Sequence, residues 1–116
     1  MLEIVKYGEI DGSLEFGMKN YKTSVYVGQL DKDGKKSGIG RSMWKKNSKC
    51  DGHIFEGMFS AGKRNGYGRY IFQNGNYYIG QFRDDNYEGV GKFVKCNGEV
   101  EEGRYSNDKF LGAIME

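Results

Sequence analysis

Apolar and polar positions along this chain alternate with a period of two over short stretches. In "YIGQFRDDNYEGVGKF", residues 78–93, Tyr78, Gly80 and Phe82 fall on one face of a strand, and Ile79 and Gln81 on the other. Gly91 and Phe93 resume the alternation after "RDDNYE", so a second strand is expected, with those six polar residues as its hairpin loop. Between such pairs stand "QNGN", "CNGE" and "CDGH". Asn-Gly and Asp-Gly are strong hairpin signals, and here they predict tight turns with both central residues at positive φ. The expected fold class is all-β: an elongated single-layer antiparallel β-meander, built hairpin by hairpin.

The pattern repeats. "FEGMFSAGKRNGYGRYIFQNG", residues 55–75, and "YIGQFRDDNYEGVGKFVKCNG", residues 78–98, match at a constant offset of 23, so that Gly57, Gly66, Gly68 and Gly75 map onto Gly80, Gly89, Gly91 and Gly98. An earlier copy carries Gly28, Gly38 and Gly40, with one extra residue in its first loop and five more between Gly40 and Gly52. A partial copy starts at Glu101 with Gly103 and Gly112 in register. Gly8 and Gly17 suggest a worn opening copy with Lys19 in place of the second glycine. A fixed period of this size signals a stacked array. Residues 1–25 are read as a degenerate N-terminal repeat or cap, and 26–116 as the array, with units starting near 26, 55, 78 and 101.

Composition sharpens this picture. There are 19 Gly, no Pro, 9 Tyr and 7 Phe in 116 residues, against an average glycine usage of roughly 7%. That many aromatics argues against disorder. Glycine inside a strand is costly and is kept where something must approach the backbone closely. An aromatic ring lying across a bare glycine meets that requirement. The expected core is therefore one of rings over glycines. Tyr26, Phe55 and Tyr78 form one row. Leu30, Phe59, Phe82 and Tyr105 form a second, with Gly28, Gly57, Gly80 and Gly103 between them and Tyr70 and Phe93 on the return strands.

No apolar run approaches the roughly 20 residues that span a bilayer, and no signal-peptide pattern opens the chain. A cytoplasmic location is expected. The net charge of +2 hides an asymmetry: residues 32–49 hold seven Lys/Arg and one acid, residues 84–102 six acids and two lysines. Lys32, Lys35, Lys36, Lys45, Lys46 and Lys49 are candidate contacts for an anionic surface, with solvated loops as the plainer reading. Asp84, Asp85 and Glu88 form an acidic tip that could meet a partner. Trp44, inside an insertion at 41–51, is either an interface anchor or a strand-face residue. Phe110, Leu111 and Ile114 belong to an apolar last strand able to pair with another chain, as does "MLEIV" at the start.

No residue set converges on catalysis. His53, the single histidine, sits beside a turn glycine and reads as a surface residue. The Gly-x-Gly pairs precede no helix, so they do not cradle phosphate. Cys50 and Cys96 fall in register two units apart, so four strands at about 4.8 Å would hold them about 19 Å from each other, too far for a disulfide or a shared metal. No catalytic residue, cofactor or metal site is expected, and no nucleic-acid binding, since the aromatics are committed to the core.

These residues resemble MORN repeats (membrane occupation and recognition nexus): aromatic-x-Gly-x-aromatic, then Gly-x-Gly-x-aromatic, then a glycine turn. The match is close over 55–98, good over 26–40 and partial over 101–112, with Glu101 and Ile114 departing from the pattern. The resemblance implies a mounting rather than an enzyme: a scaffold that binds protein partners within a multi-subunit assembly. The family's occurrence suggests a ciliary, axonemal or cytoskeletal one. The alternative is a peripheral module binding anionic phospholipids through the basic 32–49 segment.

Overall fold

A computed structural model describes residues 11–114; "MLEIV" and Gly8 lie outside that range. Nine strands follow one another: β1 (Glu15–Asn20), β2 (Ser24–Leu30), β3 (Lys36–Trp44), β4 (Ile54–Ser60), β5 (Lys63–Ile71), β6 (Tyr77–Arg83), β7 (Asn86–Val94), β8 (Val100–Ser106) and β9 (Lys109–Gly112). They form one sheet in sequence order, every neighbour antiparallel. This is the single-layer meander that the alternation predicts.

A file of glycines crosses it. Gly17, Gly28, Gly40, Gly57, Gly68, Gly80, Gly91 and Gly103 each face the next across the strand gap. The rings lie over this file. A Cβ on Gly91 would collide with the Tyr78 ring, one on Gly68 with Phe55, and one on Gly40 with Tyr26. The Tyr78 hydroxyl donates to the Gln81 carbonyl at 2.8 Å, and that of Tyr26 to Gln29 at 2.6 Å. Each ring is thereby pinned flat along its own strand. The register also moves Gly17. Its spacing from Gly8 put it at the first glycine of Gly-x-Gly, but it pairs with Gly28 and so holds the second position.

The two glycines of each Gly-x-Gly differ in role. The second belongs to the file. The first sits in a bulge with φ of 79° at Gly38, 99° at Gly66 and 96° at Gly89, where the register shifts between strands. In two units a glutamine secures the bulge: Gln81 Oε1 accepts from Val90 N–H at 2.7 Å and Gln29 Oε1 from Ile39 N–H at 3.0 Å.

Both turn assignments need correction. "RDDNYE" is not a loop: only Asp84 and Asp85 turn, and β7 starts at Asn86. Their φ values are 47° and 74°, with Asn107–Asp108 (48°, 69°) and Ala61–Gly62 (48°, 91°) alike. These are the two-residue turns with paired positive φ, since Asp and Asn tolerate the left-handed region. The Asn-Gly turns are three residues long instead. Phe72 N–H donates to Asn76 O at 2.8 Å and Gly75 N–H to Phe72 O at 3.0 Å. Only the glycine is left-handed, with φ 95°, as in a type I turn closed by a bulge. Asn74 serves through its side chain, accepting from Asn76 N–H at 2.9 Å. The insertion also starts later than expected. Residues 41–44 are strand, and the extra chain begins at Lys45.

The core is an edge-to-face ladder. Tyr26, Phe59, Phe55, Phe82, Tyr78 and Tyr105 follow one another at centroid spacings of 5.0–5.2 Å and interplanar angles of 80–87°, the geometry that ring quadrupoles favour. Tyr26, Phe55 and Tyr78 are fully buried. The opposite face carries its own apolar file, Val25, Met43, Ile54, Ile71, Tyr77, Val94 and Val100, in continuous register across seven strands. At its β2 end the back face is closed by the chain before β1, where the Asp11 carbonyl accepts from the buried Gln29 Nε2 at 2.7 Å.

Candidate functional site

The aromatic face is where chemistry converges. The residue two places before the first Gly-x-Gly glycine stands opposite a ladder position on the preceding strand: Lys36 opposite Leu30, Arg64 opposite Phe59, Tyr87 opposite Phe82. Phe110, two before Gly112, stands opposite Tyr105. Each side chain lies over the rings. The Lys36 ammonium is 5.2 Å from the Tyr21 centroid, 5.4 Å from Phe59 and 5.9 Å from Tyr26. The Arg64 guanidinium lies 5.1 Å from Tyr70, 5.7 Å from Phe55 and 5.8 Å from Phe82. Tyr87 stacks on Tyr78 at 3.9 Å, and Phe110 packs on Tyr105 at 5.2 Å. The row thus changes from two cations to two aromatics along the ribbon. Attraction of a cation to a ring face holds the first two in place. Burial lowers the pKa of Lys36, Asp85 opposing the shift and Arg64 adding to it.

Notches lie between consecutive members of this row. Lys36, Ser42, Trp44, Phe59, Arg64 and Asp85 line one of about 160 Å³. Arg64, Tyr70, Phe72, Asp85, Tyr87 and Asp108 line one of about 270 Å³. Trp44 ends β3, a strand-face position, and packs on Tyr70 at 5.6 Å. His53 is not a bare surface residue. Its Nδ1 is 2.9 Å from the Tyr70 hydroxyl and its ring meets Phe72 at 5.0 Å. Burial pushes that tyrosine up to about 12.

The sequence-adjacent lysines do not form one patch. Lys32 and Lys35 border the β2–β3 turn, Lys36 enters the groove, and Lys45, Lys46 and Lys49 occupy the β3–β4 loop at the opposite edge. The nine residues of β3 separate these edges, by about 3.3 Å each. Lys45 is also engaged, donating to Asn20 Oδ1 at 2.6 Å and to the Tyr21 carbonyl at 2.7 Å. Nor is the acidic tip free. Asp85 Oδ1 accepts from Arg64 Nε at 3.1 Å and from its backbone N–H at 2.9 Å. Glu88 accepts from Asn107 N–H at 3.0 Å and from Ser106 Oγ at 3.3 Å. Asp84 accepts from Asn65 at 3.3 Å. The tip acids lace each hairpin to its neighbours. At the C-terminal edge Leu111 and Ile114 are exposed, at 65% and 45%, while Phe110 turns into the groove. Cys50 and Cys96 are both free.

On the back face a buried carboxylate escaped the sequence reading. Glu56 accepts from Arg41 at 2.6 Å and Arg69 at 2.9 Å, across three adjacent strands. Burial alone would push its carboxyl up; the two guanidinium hydrogen bonds outweigh that and hold it below the ordinary value of 4.5. A depressed carboxyl contributes stability above the unfolded value, and that contribution disappears as pH falls through the folded one. Glu56→Gln is expected to cost about 2 kcal/mol at neutral pH and to flatten the loss of stability on acidification below pH 4.5. Urea titrations of both proteins from pH 7 to 3 measure this.

The family model for the MORN repeat matches the chain at residues 26–53, 55–77 and 78–100. No curated protein matches it.

Proposed function

The chain belongs to the MORN-repeat family, and from that premise we propose that it is a non-enzymatic cytoplasmic scaffold, a ribbon docked by its aromatic face in a ciliary or cytoskeletal assembly. Repeats of this family commonly mediate protein or membrane interactions. One observation carries the protein reading: the groove on the aromatic face is open along the ribbon and lined by Trp44, Phe72, Tyr87, Phe93 and Phe110, all half-buried against the ladder. Aromatic side chains around a cation are the composition of a protein-binding hot spot. The lysines of 32–49, divided between two edges, give a lipid surface less to hold.

The test compares two fates of the protein in a native cell extract. The scaffold reading expects it to elute from size exclusion far above the size of the free chain, with that complex surviving vesicle depletion. Elution as a free monomer would contradict it. So would salt-sensitive flotation with phosphoinositide vesicles that is lost when Lys45, Lys46 and Lys49 become glutamate.

A further inference from the structure

We propose that the notch between Lys36 and Arg64 receives a carboxylate side chain from an acidic partner segment laid along the groove, whose apolar side chains reach Tyr87 and Phe110. This rests on the scaffold reading and specifies the partner's chemistry.

Charge sets the occupant. Among the described residues no carboxylate lies within ion-pair distance of the Lys36 ammonium, although it is half-buried over three rings. Asp85, the one acid lining the notch, is bound to Arg64. Lys36, Arg64 and Asp85 together leave one net positive charge, which a single carboxylate neutralises. A desolvated cation without its anion is a cost that a partner removes.

Space agrees. Ser42 holds the strand position that Tyr70 and Phe93 hold in the next units, each four residues after the first Gly-x-Gly glycine. Its small side chain lines the notch at the position where the next units place a ring. Its hydroxyl is buried and makes no hydrogen bond. A volume of about 160 Å³ corresponds to roughly five waters at about 30 Å³ each. That admits an Asp or Glu side chain.

Spacing gives the partner's pattern. Row members lie two strands apart, about 9.6 Å, which matches one turn of a polyproline II chain, three residues at about 3.1 Å each, so that every third side chain faces the groove. The segment therefore carries an acid at one position, a polar residue three away opposite the Arg64–Asp85 pair, and apolar residues six and nine away opposite Tyr87 and Phe110.

The probes are two synthetic decapeptides, Glu-Thr-Ser-Gln-Thr-Ser-Leu-Thr-Ser-Leu and its reversed order, each also made with Lys in place of Glu. They are titrated into the purified full chain and followed by amide and indole NMR shifts. Expected is at least tenfold tighter binding of a Glu peptide than of its Lys counterpart, with shifts at Trp44, Gly62 and Arg64. Lys36→Glu should reverse the preference and Lys36→Ala abolish it, with both variants still folded by circular dichroism. Absence of binding by both Glu peptides overturns the proposal. So does a preference indifferent to position 36, or the same shifts produced by phosphatidylserine vesicles alone. If the native complex persists while the charge preference is absent, only this inference fails and the scaffold reading stands.

Discussion

Gly80→Val leaves the chain unfolded at room temperature, as read by loss of its β-sheet circular dichroism and by amide exchange without protection. Gly80 has φ 158° and faces Gly91 in the glycine file. A Cβ there would overlap the Gly91 Cα and lie 2.6 Å from the Val90 carbonyl oxygen. Those atoms are backbone of the adjacent strand, so no rotamer change relieves them. Valine adds two methyls on that Cβ and a stiff χ1. Parting the strands would break the β6–β7 ladder at mid-ribbon and lift Tyr78 off Gly91. A cost above about 5 kcal/mol is expected, within the range of a small domain's entire stability. Gly98→Ala is the contrast. It also removes a glycine, in a turn with φ 95°, where an added Cβ meets nothing within 4 Å. There the cost is only that of the left-handed backbone, about 1 kcal/mol.

Removing a rung of the ladder comes next in size. Tyr78 is fully buried, meets Phe82 and Tyr105 edge-on at 5.1 Å each, and carries Tyr87 stacked at 3.9 Å. Tyr78→Ala should cost about 3–5 kcal/mol, the range for deleting a large core aromatic. Tyr78→Phe keeps the ring and loses only the bond to the Gln81 carbonyl, worth about 1 kcal/mol. Because each unit touches only its neighbours, the damage is directional. Hydrogen exchange of Tyr78→Ala should show β7, β8 and β9 opening well before β2 and β3, with Tyr78→Phe close to the parent throughout.

What was legible followed the strict periods. Alternation of two gave the strands, and the 23-residue offset gave the array. Tyr26, Phe55, Tyr78, Phe59 and Phe82 announced the ladder because ring and glycine keep fixed distances. Turn chemistry was not legible because Asn-Gly fits more than one hairpin length. Asn74 acts through its side chain, and Asp84–Asp85 takes the conformation that dipeptide statistics assign to Asn-Gly. The acidic tip misled for a related reason. Asp85 and Glu88 look free along the chain, but stacking brings the previous and following tips within hydrogen-bonding reach. The lysine segment is continuous along the chain, but β3 carries its two halves to opposite edges. The groove row of Lys36, Arg64, Tyr87 and Phe110 was in plain register, two residues before a glycine each time. It was hidden because the four residues share a position and not a chemistry, so hydropathy alone does not connect them.

On the proposed reading the aromatic face, and not the lysine edges, meets the partner. Hydroxyl-radical footprinting of the protein within its native complex, compared with the purified chain, tests it most directly. Protection of Trp44, Tyr87 and Phe110 is expected, with Met43 and Tyr77 on the back face oxidised alike in both states. Unchanged oxidation of those groove residues, with protection confined to the back face or to the β3–β4 loop, would contradict it.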